Sequence, residues 1–177
     1  MAELTRATYI VGGPGSGKST LMAKTLAGWT PGPYTKWTSR EMFGHTLTHP
    51  EKGLGAYLGH LRAEYPGTDA LSLSVAPQAL LWLQALPLLG LDWVFGEGAR
   101  LSHLGFLGAL DQVTDLTVVH LKVDPAEGAR RRAARGGKLL SEQYCKVATS
   151  KADNVAQACR DLGMRVLSWS ADGPNRP

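Results

Sequence analysis

Two cysteines, Cys145 and Cys159, are too few for a disulfide scaffold. Both fall in one helical stretch, which predicts unpaired thiols and a reducing compartment. No apolar run of about 18 residues offers a membrane span, and the polar opening AELTRAT does not read as a signal peptide. The expectation is a cytoplasmic chain with no membrane partner. Aromatic residues are sparse at 7% and form no basic stripe interleaved with rings, the pattern that reads single-stranded nucleic acid. An excess of one charge sign is nearly missing too. Nineteen basic and fifteen acidic residues leave a formal charge of +4, which suits a phosphate-bearing partner without separating nucleotide from nucleic acid. His45 and His49 have no Cys or acidic partner at ligand spacing, and GHTLTHPEKG reads as a loop, so no metal site is expected there. Repeats, low-complexity segments and linkers are also lacking. At 177 residues the chain reads as a single domain over 1–177, with its oligomeric state open.

What is present is concentrated in ATYIVGGPGSGKST, residues 7–20. Thr8–Val11 reads as a short buried strand, and the residues after it satisfy G-x-x-x-x-G-K-[ST], a phosphate-binding P-loop. Glycines let successive N–H groups converge on one anion where a side chain would block it. A helix starting near Lys18 adds its positive end to the same point. Gly13, Pro14, Gly15, Ser16, Gly17, Lys18, Ser19 and Thr20 are therefore the expected nucleotide-binding residues. Lys18 reaches the outer phosphates in such a loop, and the Ser19 hydroxyl ligates Mg²⁺. A nucleoside triphosphate, ATP by preference, is the implied ligand.

Hydrophobic periodicity predicts the rest of the chain in outline. A helix over Lys18–Trp29 ends at a Pro31-Gly32-Pro33 turn. A second strand covers Tyr34–Thr38, with Arg40 just beyond its end as a candidate acceptor-site residue. Glu51–Tyr65 carries Leu54, Tyr57, Leu58 and Leu61 at helical spacing. Thr68 and Asp69 follow in a loop, where Asp69 could orient an acceptor hydroxyl or either residue could cap a helix. An apolar helix over Ala76–Leu86 makes Trp82 a core residue, and Leu91–Gly96 is a buried strand. Glu97 comes just past it, where a P-loop enzyme places its second Mg²⁺ contact. Arg100 could meet a phosphate or pair with Glu97. A helix over Ser102–Leu110 and a strand over Leu116–Val123 holding a core histidine, His120, come next. The helix Ala126–Arg135 carries Arg130, Arg131, Arg132 and Arg135 ahead of Gly136-Gly137. A solvated basic face or an arginine-bearing lid over about 126–150 would each account for it. A long helix over Ser141–Leu162 and a strand over Arg165–Trp169 complete an α/β, doubly wound parallel sheet.

Among P-loop classes a GTPase lacks its D-x-x-G, and the nearest guanine motif, Ser150-Lys151-Ala152-Asp153, falls in a helix. A remodelling ATPase lacks its Asp-Glu strand end. A small kinase fits length, single P-loop and arginine helix, and a non-catalytic ATP sensor is the alternative. The set GGPGSGKST, GTDALSLSVAP, FGEGARLSH and HLKVDPAEGARRRAARG resembles small bacteriophage P-loop kinases over roughly residues 8–155. That group includes kinases of 5-hydroxymethyluridine in phage DNA, a step toward hypermodified thymidine, as well as nucleotide kinases.

The resemblance implies an ATP- and Mg²⁺-dependent kinase of the nucleoside or nucleotide kinase type, working in the host cytoplasm if the chain is phage-encoded. It implies Lys18 and Ser19 as phosphate and Mg²⁺ ligands, Asp69 as base, Glu97 as a Mg²⁺-water ligand and Arg131 or Arg135 as lid contacts. Arg40, Thr68 and Arg100 are then candidate acceptor-binding residues. The acceptor would be modified DNA or a free deoxynucleoside monophosphate. Two departures stand out: Ala99 replaces the Asp of E-G-D-R, and Ala148 replaces an Arg after the lid.

Overall fold

A computed structural model describes residues 4–38, 41–61, 66–134, 136 and 140–170. Its centre is β1 (Arg6–Gly12), whose Tyr9, Ile10 and Val11 are buried on both faces, as a parallel strand between two others requires. On one side lies β5 (Trp93–Glu97) and on the other β6 (Asp115–Lys122), both parallel to it. β7 (Arg165–Ser170) adds to β6, and β4 (Gly53–Leu58) adds to β5, again in parallel. β2 (Thr30–Lys36) and β3 (Phe43–His49) continue antiparallel from β4. The seven-stranded order is β2-β3-β4-β5-β1-β6-β7, the expected α/β sheet with the P-loop strand inside it.

Alternation along β1 divides the interior. Tyr9 and Val11 face a core shared with α2 (Ala76–Ala85), α3 (Leu104–Val113) and α5 (Glu142–Asp161), which includes Phe106, Leu107, Ala156 and Cys159. Ile10 faces a second core under α1 (Lys18–Thr25), built from Met22, Trp29, Leu47, Tyr57 and Phe95. Each large apolar side chain so buried contributes about 1.5–3 kcal/mol. Ser141 caps α5 through the Tyr144 N–H, and His103 caps α3 through the Phe106 N–H. Both cysteines are free and buried, and Trp82 is core, stacked on Trp37 at 5.3 Å. Among the described residues no helix is long and apolar enough to cross a membrane.

The segment after α1 departs from expectation. Gly53, Gly55 and Gly59 lie within 51–65, and each interior glycine costs a helix about 1 kcal/mol. Gly53–Leu58 pairs as β4, so the helical spacing of Leu54, Tyr57 and Leu58 is a coincidence, and residues 62–65 of the expected helix lie outside the described residues. Pro31 and Pro33 lie inside β2, on the sheet edge that tolerates a missing N–H, with a register shift between Pro31 and Tyr34. His45 and His49 belong to strand β3 and not to a loop. His45 bonds Gly32 while His49 packs on Trp29, and among the described residues no three or more His, Cys, Asp or Glu gather into a group that could hold a metal.

Candidate active site

The P-loop joins the C-terminal end of β1 to α1. Gly15 adopts φ 75°, and a side chain there would overlap the Gly128 carbonyl of α4 (Pro125–Ala134). Gly17 precedes α1 at φ 92° without a side-chain cap, which leaves the first amides of the helix directed at the loop's hollow. Lys18 Nζ donates to the carbonyls of Gly12 and Gly13 at 2.9 and 3.1 Å. Burial pushes its pKa down, Asp69 and Glu97 oppose the shift, and Arg132 adds to it. Ser16 Oγ and Thr149 Oγ1 are buried beside the loop without a protein partner. Two orphaned hydroxyls at a nest of amides fit a phosphate chain.

Below the loop, Ser19 Oγ donates to Glu97 Oε2 at 3.0 Å, and Tyr57 Oη donates to Glu97 Oε1 at 3.0 Å. Glu97 ends β5 and is 2% exposed. Burial raises its pKa, the Ser19 and Tyr57 hydrogen bonds and Lys18 pull it back, and Asp69 adds to the rise. The serine and the acidic residue singled out as metal contacts are thus side by side. A hard cation prefers such an oxygen pair. Thr68 Oγ1 donates to the Glu97 carbonyl at 2.9 Å and lies 3.0 Å from Tyr9 Oη, which donates to the Gly98 carbonyl at 3.1 Å. Asp69 Oδ1 accepts the Ala99 N–H at 2.6 Å. The turn carrying Asp69 is therefore fastened to the end of β5 and faces the same loop.

The family model described as P-loop Nucleotide Kinase3 matches residues 3–169. The chain belongs to that family. A solved structure titled as deoxyadenosine kinase from M. mycoides with bound dATP is 13% identical, with 94% of this chain and 92% of that chain covered at a TM-score of 0.48. No curated protein sequence matches the chain.

In this P-loop nucleotide kinase family member, several expected site residues lie elsewhere. Thr68 is fully buried and its hydroxyl is used inside the protein, so it presents nothing to an acceptor. Neither Thr68 nor Asp69 supplies a side-chain helix cap, since the short helical turn Thr68–Ala70 has none and Asp69 bonds across to Ala99. Arg100 donates its Nε to the Leu71 carbonyl at 3.2 Å and pins the segment after Asp69. Arg131 Nε is held by Glu127 Oε1 at 2.6 Å, and Arg130 shares the same carboxylate. The two guanidinium groups hold Glu127 down at about 2. Arg132 is the α4 arginine whose charge acts on Lys18. Arg40 and Arg135 lie outside the described residues. Tyr9, Tyr57, Thr149 and Arg132 were not picked out from sequence. Only Arg132 had a readable signal: Glu127 is spaced i,i+3 and i,i+4 from Arg130 and Arg131 and pairs with both of them.

Proposed function

We propose that this chain transfers the γ-phosphoryl group of ATP, with Mg²⁺, to a hydroxyl of a nucleotide-type acceptor. The observation that carries the reading is the contact of Ser19 with Glu97 beneath the Lys18 loop, beside the fastened Asp69 carboxylate. Ser19 and Glu97, the latter through water, would hold Mg²⁺, whose charge offsets that of the phosphate oxygens. Lys18 exchanges the Gly12 and Gly13 carbonyls for phosphate oxygens, and Arg132 brings a second cation from α4. Asp69 keeps one oxygen on the Ala99 N–H and uses the other to orient the acceptor hydroxyl and take its proton. The acceptor O–P bond forms as the bond to the β-phosphate bridging oxygen breaks, and ADP leaves.

The GTDALSLS and FGEGAR segments favour 5-hydroxymethyluridine in DNA as acceptor, through their resemblance to the phage enzymes. The family description as nucleotide kinases favours a free deoxynucleoside monophosphate as the second reading, in which an oxygen of the acceptor's own phosphate attacks and Asp69 has no hydroxyl proton to take. Transfer of label from γ-labelled ATP separates them. The acceptors are an oligonucleotide containing 5-hydroxymethyluridine, unmodified DNA with 5′-hydroxyl ends, and the four deoxynucleoside monophosphates. Label on the modified oligonucleotide alone supports the first reading, and transfer that weakens as salt rises would accompany it. Label on a monophosphate supports the second. ATP binding with no label on any acceptor overturns the kinase reading in favour of a nucleotide sensor.

A further inference from the structure

Beyond Glu97, a row of rings crosses β4, β3 and β2. Tyr57 sits opposite Phe95, His45 opposite Tyr57, and Tyr34 opposite His45 in the strand register. The inner members are closed off. Tyr57 is fully buried and donates to Glu97. His45 is buried, donates from Nδ1 to the Gly32 carbonyl at 2.8 Å and accepts the Leu61 N–H at Nε2. The outer members are different. Tyr34, Phe43 and His60 are each only partly buried. Tyr34 stacks on Phe43 with ring centroids 5.4 Å apart and planes 23° from parallel, and lies 4.4 Å from the His60 ring. Helix–sheet packing concentrates on β1, β5, β6 and β7, away from this end of the sheet.

His60 also connects to the candidate active site through backbone. It exchanges both backbone hydrogen bonds with Gly67, at 3.2 and 2.8 Å. Gly67 holds φ 70°, and a Cβ there would come within 2.6 Å of Glu97 Cγ. Two residues later comes Asp69. The half-buried rings therefore begin where the chemistry is read to occur and run outward from it. Aromatic rings at these separations stack with one another and with any added planar ring.

We infer that Tyr34 and His60 form the stacking platform for the planar base of the acceptor, whether that base belongs to a free nucleotide or is turned out of DNA. The inference rests on the kinase reading and deepens it. Stacking tolerates any base face, so the platform sets the position of the acceptor and leaves base choice to other groups.

The test pairs kinetics with a binding signal that needs no turnover. Tyr34→Leu is expected to raise KM for the acceptor at least ~10-fold while kcat stays within about threefold, and Tyr34→Phe is expected to restore it. In wild-type protein, ring-proton NMR is followed as each deoxynucleoside monophosphate, and separately the 5-hydroxymethyluridine oligonucleotide, is added. Ring-current shifts at His60, with His49 at the far, Trp29 end of β3 as the still reference, support the platform and identify which source of base it takes. An unchanged KM in folded Tyr34→Leu, or His60 signals that do not move with either probe, overturns it. Absent phosphoryl transfer with His60 still shifting would reject the kinase reading and keep the base site.

Discussion

Glu97 and His120 are alike in isolation and opposite in surroundings. Each lies near the C-terminal end of an inner strand, 2% and 1% exposed, and each is pushed toward its neutral form mainly by burial. Glu97 faces the α1 side, where its two oxygens accept from Ser19 of the P-loop helix and from Tyr57. His120 has Nε2 at 2.9 Å from Asp153 on α5 and Nδ1 at 3.4 Å from Ser168, which also accepts from Arg160. Asp153 raises the His120 pKa against burial, while Arg160 and Lys122 lower it. A perturbed acid or base is thus no address for chemistry. The strand face it occupies, and what the neighbouring loop brings to that face, decides the matter.

The comparison can be broken hardest at the loop itself. Lys18→Ala should lower phosphoryl transfer by ~10³-fold or more, and Glu97→Gln by ~10²-fold or more, with a raised Mg²⁺ requirement. Full Mg²⁺-dependent transfer in Glu97→Gln would place Glu97 in the same structural role as His120. Asp69→Asn should reduce kcat ~10²-fold while ATP affinity, read by calorimetry, stays within about twofold. Loss of the folded state in that variant would mean that the Ala99 contact is what Asp69 is for. Arg132→Ala is expected to cost ~10-fold in kcat and Arg131→Ala less than about twofold, since Arg131 is committed to Glu127. Equal losses would show that α4 acts as a diffuse positive surface.

The smallest effect on activity belongs to His120. His120→Gln should leave transfer within about twofold but change the pH dependence of stability. Because the folded pKa lies below the ordinary value of 6.5, the unfolded chain binds a proton that the folded chain refuses. The contribution is complete above pH 6.5 and is lost as pH falls through the folded value. Thermal melts of the wild type should therefore fall more steeply than those of His120→Gln below pH 6.5.

The loop and its strand could be read directly from sequence because their information is local: the eight contiguous residues Gly12–Ser19 carry the whole motif. Glu97 was also readable, as an acidic residue at the end of an apolar strand. Its supporting partners were not. Tyr57 is 40 residues away, and the Tyr9–Thr68 contact spans 59, so nothing in a window around either marks a hydroxyl partner. The hairpin β3–β4 was missed for another reason. GHTLTHPEKG reads as a loop, and Leu54, Tyr57, Leu58 and Leu61 fall at a helical spacing that only the glycines argue against. Thr68 looked like a site residue because it sits beside Asp69, yet it points inward to the Glu97 carbonyl. Both side chains are tied to the end of β5, but Thr68 is fully buried, and sequence adjacency does not record which of two neighbours is covered.

Gly15 and Gly128 face each other with no side chain between them. A Cβ on Gly15 would overlap the Gly128 carbonyl, and one on Gly128 would overlap the Pro14 carbonyl. Side-chain contacts between a loop and a helix act as springs, because rotamers shift and absorb small displacements. Two backbones in direct contact have no such compliance. A tilt of α4 is therefore expected to displace the P-loop backbone directly, with no rotamer between them to absorb it. Loop and helix are geared to one another. Widening that contact by one methyl group on either side would change the gear ratio without touching a single charged group.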